Sequence, residues 1–125
     1  MTIALVFDLS AMVAYARGSL AVGELLMLAD EEDSLVALPG VALAQAFAST
    51  LDADRNMLRI LVGLAGTVVL PLDDEVAERV GRFAQRTDLW TAHAVTSATD
   101  AWAHLVTAQP GKVAGLVDEE MIIEV

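Results

Sequence analysis

The apolar residues of this chain fall into short blocks of two kinds, which alternate along its whole length. Five blocks are runs of four to six mostly apolar or β-branched residues bounded by Gly, Pro, Asp or charged turns. Such runs are typical of strands that are buried on both faces of a parallel sheet. The pattern therefore predicts strands at residues 2–7, 34–38, 67–70, 105–108 and 121–125.

Between the strands, the apolar positions repeat with helical spacing. The clearest amphipathic segment is 73–87, in which Val76, Val80 and Phe83 fall on one face while charged residues fall on the other. Further helices are predicted at residues 10–16, 21–29, 41–49, 52–64 and 89–104. Alternating strands and helices with no long linker or repeat indicate one domain, residues 1–125.

The predicted fold class is α/β. We expect a three-layer sandwich, in which a central, mostly parallel five-stranded sheet has helices on both faces and its first strand in the middle. In such sheets ligands bind outside the carboxyl ends of the strands. The residues to examine are therefore those that end strands, namely Asp8, Pro39 and Gln109.

Composition narrows the function classes. The chain has no cysteine, which excludes disulfides, thiolate metal sites and cysteine nucleophiles. Its mean hydropathy is +0.58, but the longest uncharged run, 34–51, is interrupted by Pro39 and Gly40, so we expect no membrane span. The apolar N-terminal stretch lacks a preceding basic region and is followed at once by Asp8, so the sequence predicts a cytoplasmic protein.

The net charge of −11 disfavours tight nucleic-acid binding, because neutralisation of phosphates supplies much of that affinity. One basic cluster stands out: Arg79, Arg82 and Arg86 lie at i, i+3 and i+7 on the predicted helix 73–87. We expect these side chains to pair with acidic residues of the same helix. A phosphate ligand and an acidic partner surface are the alternatives.

Four segments, taken in order, resemble a known family. Residues 6–10 (VFDLS) resemble the opening of PIN domains, in which a strand delivers an aspartate that is followed two residues later by Ser or Thr at a helix start. Residues 69–77 (VLPLDDEVA) are similar to the family's third strand and following helix. Residues 92–99 (AHAVTSAT) are similar to the helix that normally begins with a catalytic aspartate, and residues 105–109 (LVTAQ) to the strand and turn that normally end in Thr-x-Asp.

The resemblance implies a metal-dependent ribonuclease, a class that includes many toxins of bacterial toxin–antitoxin pairs. Carboxylates at the strand ends of that family hold Mg²⁺ or Mn²⁺, which activates water. Only Asp8 matches, because the other three family positions fall on Gln45, His93 and Gln109. One carboxylate with two amides and an imidazole is a poor ligand set for a hard cation. Asp8 is thus the one expected metal ligand, with weak binding at most.

We therefore predict a catalytically degenerate PIN-like domain that acts as an interaction or regulatory module, as a homodimer or with a protein partner, without a cofactor. The alternative is a Mg²⁺- or Mn²⁺-dependent ribonuclease with an atypical site, and a third hypothesis is a small-ligand binder that uses the vacated pocket.

Ser10 is interpreted as a helix-start residue, because no Gly-x-Ser-x-Gly nucleophile motif occurs. His93 is expected to be hydrogen-bonded, Asp100 to be a surface residue, and Trp90 and Trp102 to be core or interface residues.

Overall fold

A single five-stranded sheet forms the centre of the molecule in the computed structural model, which describes all residues 1–125. The strands are β1 (Ile3–Phe7), β2 (Leu35–Pro39), β3 (Thr67–Leu70), β4 (His104–Thr107) and β5 (Ile122–Glu124). Their order across the sheet is β3-β2-β1-β4-β5, and every neighbouring pair is parallel. The predicted α/β fold class and the central position of the first strand are confirmed.

Seven helices surround the sheet. They are α1 (Leu9–Ala16), α2 (Leu20–Glu31), α3 (Gly40–Ser49), α4 (Asp52–Gly63), α5 (Asp74–Phe83), α6 (Leu89–Ala101) and the short α7 (Pro110–Val113), and a 3₁₀ turn follows at Glu119–Met121. Helices α1 to α4 share one apolar core with the sheet, and α5, α6 and α7 share a second. No single helix is long and apolar enough to cross a membrane, although α1 and α2, bent by 104° at their break, meet the length and composition criteria together.

The central strand shows why its sequence is uninterruptedly apolar. Successive side chains of a strand point to opposite faces of the sheet. Leu5 and Phe7 belong to the core beneath α1 to α4, whereas Val6 between them belongs to the core beneath α6. Val6 and Phe7 are both completely buried. A strand that is covered on both faces cannot alternate apolar with polar residues, and this run consequently predicts the middle of the sheet.

Two helices are shorter than predicted. Helix α5 ends at Phe83, and α6 ends at Ala101 because Trp102 adopts the left-handed conformation (φ 52°, ψ 37°) that commonly terminates helices. His104, which was predicted to end the helix, instead begins β4. Trp102 is 89% exposed, so of the two places predicted for it, core or interface, the core is excluded.

The start of α3 is held against the end of β3. Helix α3 begins immediately after Pro39, the last residue of β2. A Cβ atom at Gly40 would lie 3.0 Å from the carbonyl oxygen of Leu70, so the absence of a side chain permits this close approach. The approach fixes the N-terminus of α3 at the carboxyl edge of the sheet.

Candidate functional site at the carboxyl edge of the sheet

The strand order places a crevice between β1 and β4. The chain passes from β1 to β2 and β3 on one side of the sheet, and then to β4 and β5 on the other, so the order reverses at β1. Ligands of open α/β sheets bind outside the carboxyl ends of the strands at such a point. Asp8 directly follows β1 and Thr107 ends β4, and both side chains are buried.

Asp8 caps the first helix. Its extended backbone (φ −81°, ψ −179°) precedes α1, and its Oδ1 atom accepts a hydrogen bond from the amide of Ala11 at 2.9 Å. The same oxygen accepts a second hydrogen bond from the Ser10 hydroxyl at 2.7 Å. The carboxylate thus satisfies one of the free amides at the helix start. Asp8 is the cap, and Ser10, interpreted from the sequence as the helix-start residue, lies within the first turn.

Ser10 and Thr107 extend this cap into a chain of hydroxyls. Their oxygens are 3.1 Å apart. Since the single hydroxyl hydrogen of Ser10 is donated to Asp8, the Ser10 oxygen is free to accept a hydrogen bond from Thr107. The amides of Ala108 and Gln109 donate to the Ser10 and Thr107 oxygens at 2.8 and 3.0 Å, which ties the turn after β4 to the start of α1. Thr107 stands at the Thr position of the family's Thr-x-Asp turn, but sequence reasoning assigned it no role of its own.

The charge of Asp8 has no counter-ion within the protein. None of the five ion pairs in the chain includes this residue. Burial raises the pKa of Asp8 above its ordinary value, and the nearby hydroxyls of Thr107 and Ser10 lower it only in part. The fold therefore favours the neutral form of this carboxyl group relative to the unfolded chain.

His93 satisfies a different helix terminus. It lies on α6 and is almost completely buried, and its Nδ1 atom accepts a hydrogen bond from the amide of Val41 at 3.3 Å. Val41 is the second residue of α3, whose N-cap, Pro39, offers no side-chain acceptor. Because Nδ1 accepts, the neutral imidazole carries its hydrogen on Nε2. Burial lowers the pKa of His93, while Asp73 acts weakly in the opposite direction. The expectation of a hydrogen-bonded histidine is confirmed.

The two glutamines are engaged elsewhere or exposed. The side-chain amide of Gln45 donates along its own helix to the Ser49 hydroxyl at 3.1 Å, and Ser49 donates to the main-chain carbonyl of Gln45. The side chain of Gln109 is exposed, and only its backbone amide joins the network through Thr107. Ser10 and Thr107 thus bring Asp8 and the backbone of Gln109 to one crevice. His93 contacts the helix that carries Gln45, and no hydrogen bond joins the four predicted side chains, so their convergence stays a prediction.

The residues at this edge do not fit a Mg²⁺ or Mn²⁺ site. No three His, Asp or Glu side chains come together in the chain in an arrangement that could hold a metal ion. Oδ1 of Asp8 already accepts two hydrogen bonds, and Nδ1 of His93 accepts one. Magnesium demands near-ideal octahedral oxygen ligation and normally uses carboxylates for it. A single, capped carboxylate does not meet this requirement.

Sequence and structure comparisons give different answers. No family model matches the chain, and no curated protein is significantly similar to it in sequence. Its structure is similar to a chain of a toxin–antitoxin complex from Klebsiella pneumoniae, with a TM-score of 0.68 and 16% sequence identity. The alignment covers 98% of this chain and 100% of the other. At this identity the similarity demonstrates a common fold.

Proposed function

We propose that this chain is a catalytically degenerate PIN-like domain of the toxin–antitoxin type, which binds another protein and does not cleave RNA. The observation that carries the proposal is that the Asp8 carboxylate caps a helix and has no second carboxylate at the other family positions. Asp8 is the one carboxylate among the four family positions, and its Oδ1 serves as the N-cap of α1. The fold shared with a chain of a toxin–antitoxin complex supports the same class.

The chemistry of the neighbouring groups argues against hydrolysis. Metal-dependent phosphodiester cleavage requires a cation that activates water and stabilises the charge of the phosphate being cut. His93 cannot replace a missing carboxylate, because Nδ1 accepts the Val41 amide and Nε2 carries the proton, so neither nitrogen has a free lone pair. Gln45 has its amide group directed to Ser49. Neither His93 nor Gln45 therefore supplies a second anionic ligand beside Asp8.

An apolar surface supports the binding half of the proposal. Met27 on α2 and Leu64 at the end of α4 are 65% and 37% exposed and line the same surface depression, which we call the α2–α4 patch. The half-buried Leu26 and the exposed Ala65 line the same depression. Single exposed apolar residues are common, but contiguous ones mark protein interfaces. This patch is the surface we assign to a protein partner, which includes a second copy of the chain.

The absence of catalysis is tested by titrating the protein with Mn²⁺ in a calorimeter and assaying RNA cleavage, with Asp8→Ala as control. We expect no saturable Mn²⁺ binding and no cleavage.

The matched variant combines Gln45→Glu, His93→Asp and Gln109→Asp. Because it adds carboxylates that repel one another, it should unfold about 2 kcal/mol more easily in chelator and recover that stability in Mn²⁺. Micromolar Mn²⁺ affinity of the natural protein, with cleavage that is abolished in an Asp8→Ala variant shown to be folded, would restore the ribonuclease alternative.

The binding half is tested separately by sedimentation equilibrium of the natural protein and Met27→Glu. Met27 is largely exposed, so the substitution should leave the unfolding midpoint unchanged. If copies associate through the α2–α4 patch, Met27→Glu weakens their association at least tenfold. Lys112→Gln, on the opposite side of the sheet, is the control and should not change it. Association that is equal in both variants would remove this patch from the proposal.

A further inference from the structure

A groove between α5 and α6 concentrates the positive charge of this acidic protein. Its walls carry Arg79 and Arg82 of α5, Arg86 of the following turn, and Thr96, Thr99 and Asp100 of α6. We call it the arginine groove; its volume is about 400 Å³. Three of the seven basic residues of the chain line it, although the net charge is −11. The groove lies between α5 and α6, whereas Asp8 lies at the start of α1.

The arginines of the groove are not equally neutralised. Arg79 forms a two-bonded ion pair with Asp100 of α6, at 2.6 and 2.7 Å, and Arg82 pairs with Glu78 at 2.9 Å. Pairing within α5 was predicted for all three arginines and holds for Arg82 alone, because α6 packs beside α5 and presents Asp100 to Arg79. Asp100 is thus an interhelical ion-pair partner as well as a surface residue.

Arg86 has no partner. Five of the seven basic side chains form ion pairs, and Arg59 donates to Asn56. Arg86 is the remaining one, since it makes neither an ion pair nor a side-chain hydrogen bond. The negative charges of Asp73 and Glu75, at the N-terminal end of α5, act on Arg79 and lie at the opposite end of the helix from Arg86. The positive charge that lacks a neutralising contact is therefore at the Arg86 end of the groove.

A hydroxyl in the same wall is also unsatisfied. Thr96 is 2% exposed, and its Oγ1 atom has no hydrogen-bond partner. Most buried polar side-chain atoms in proteins are hydrogen-bonded, so such a group calls for a specific explanation. A turn of χ1 exchanges Oγ1 with the methyl group and changes the direction in which the hydroxyl points. Thr99, one helical turn further on, adds a second hydroxyl to this wall.

We propose that the arginine groove binds the phosphate group of a small ligand, with Arg86 as the cation and the hydroxyls of Thr96 and Thr99 as donors. A phosphate offers several acceptor oxygens at once, and arginine binds them with its two-pronged donor geometry. A polyanion such as RNA is disfavoured by the overall charge, whereas a small phosphate meets only the local field. Trp102 lines the adjoining surface cavity, which shares Thr99 with the groove, and is available to stack on a ring attached to the phosphate.

The test is calorimetric titration at low ionic strength with two probes, inorganic phosphate and adenosine 5′-monophosphate, and with acetate as the negative control. We expect saturable one-to-one binding of both phosphates and none of acetate. Arg86→Gln and Thr96→Val should each weaken it at least tenfold. Arg59→Gln removes another exposed arginine, on α4, and should leave the binding unchanged. Unfolding midpoints of all variants establish that they are folded.

Comparing the two probes distinguishes a nucleotide ligand from free phosphate. If adenosine 5′-monophosphate binds more tightly than phosphate, and Trp102→Ala removes that difference alone, the ligand is a nucleotide. Equal affinities assign the site to the phosphate group by itself. Failure of both probes to bind, or equal affinities in Arg86→Gln and Arg59→Gln, overturns the proposal. Neither result depends on whether the crevice at Asp8 is catalytic.

Discussion

Two polar regions of this molecule differ in how their polar atoms are satisfied. In the crevice between β1 and β4, Oδ1 of Asp8 and the hydroxyls of Ser10 and Thr107 are bonded to one another and to backbone amides. In the arginine groove, Arg86 and the hydroxyl of Thr96 have no partner within the protein. A polar group that is satisfied internally stabilises the fold, whereas one left unsatisfied costs stability and favours a ligand. The crevice is where topology directs a ligand, yet the groove has the free binding groups.

The largest effect is expected for Asp8→Ala. The substitution removes the cap of α1 and leaves the Ser10 hydroxyl without its acceptor, so the free energy of unfolding should fall by about 3 kcal/mol. Asp8→Asn keeps an acceptor oxygen and should lose less than half as much. Urea denaturation at neutral pH measures both. If Asp8→Ala is as stable as the natural protein, the crevice is not a structural network and the comparison fails.

The natural protein and Asp8→Asn should also differ in how their stability depends on pH. Because burial raises the pKa of Asp8 in the folded state, its contribution to stability is complete below its ordinary pKa and is lost as the pH rises through the folded value. Relative to Asp8→Asn, the natural protein should therefore gain stability as the pH is lowered through this acid window. A gain in the opposite direction would mean that the carboxylate is stabilised as an anion.

Two threonines permit the same substitution with opposite expected signs. Thr107→Val leaves the amide of Gln109 without its acceptor and removes one of the three hydrogen bonds of the Ser10 hydroxyl, so it should destabilise the protein by about 2 kcal/mol. Thr96→Val replaces an unsatisfied hydroxyl with a methyl group of similar volume and should stabilise it by about 1 kcal/mol. Thermal unfolding of the two variants compares the regions directly. Equal signs would show that the hydrogen-bond state of the hydroxyl does not distinguish them.

The smallest effect concerns His93 and is visible only as a pH dependence. Burial lowers the pKa of His93, so below the ordinary histidine pKa of about 6.5 the unfolded chain binds the proton more readily. Stability should fall between pH 7 and pH 5, because protonation of Nδ1 also breaks its bond to the Val41 amide. His93→Gln does not titrate and should lose this dependence. His104 is exposed, and His104→Gln is the control that should retain it.

The elements that sequence patterns predicted well are those whose contacts are local or whose burial is complete. The apolar run of β1 and the amphipathic face of α5 need only hydrophobic spacing to be recognised. The end of α6 was misplaced by three residues because a tryptophan in the left-handed conformation gives no sequence signal, unlike the glycine that usually occupies it. The resemblance to PIN domains selected Asp8, and the strand pattern placed it at the carboxyl edge of the sheet.

The amino-acid sequence by itself determined the α/β class, the central strand and the single carboxylate at its end, because these depend on residue type and periodicity. Only the tertiary structure decided what the polar side chains do. Ser10 and Thr107 are 97 residues apart in sequence, Val41 and His93 are 52 apart, and Arg79 and Asp100 are 21 apart. Hydrogen bonds and ion pairs act over a few ångströms and depend on direction, so their partners are fixed only when the sheet and helices have packed. The lone charge of Arg86 and the unsatisfied hydroxyl of Thr96 become evident for the same reason, once every partner within reach is known.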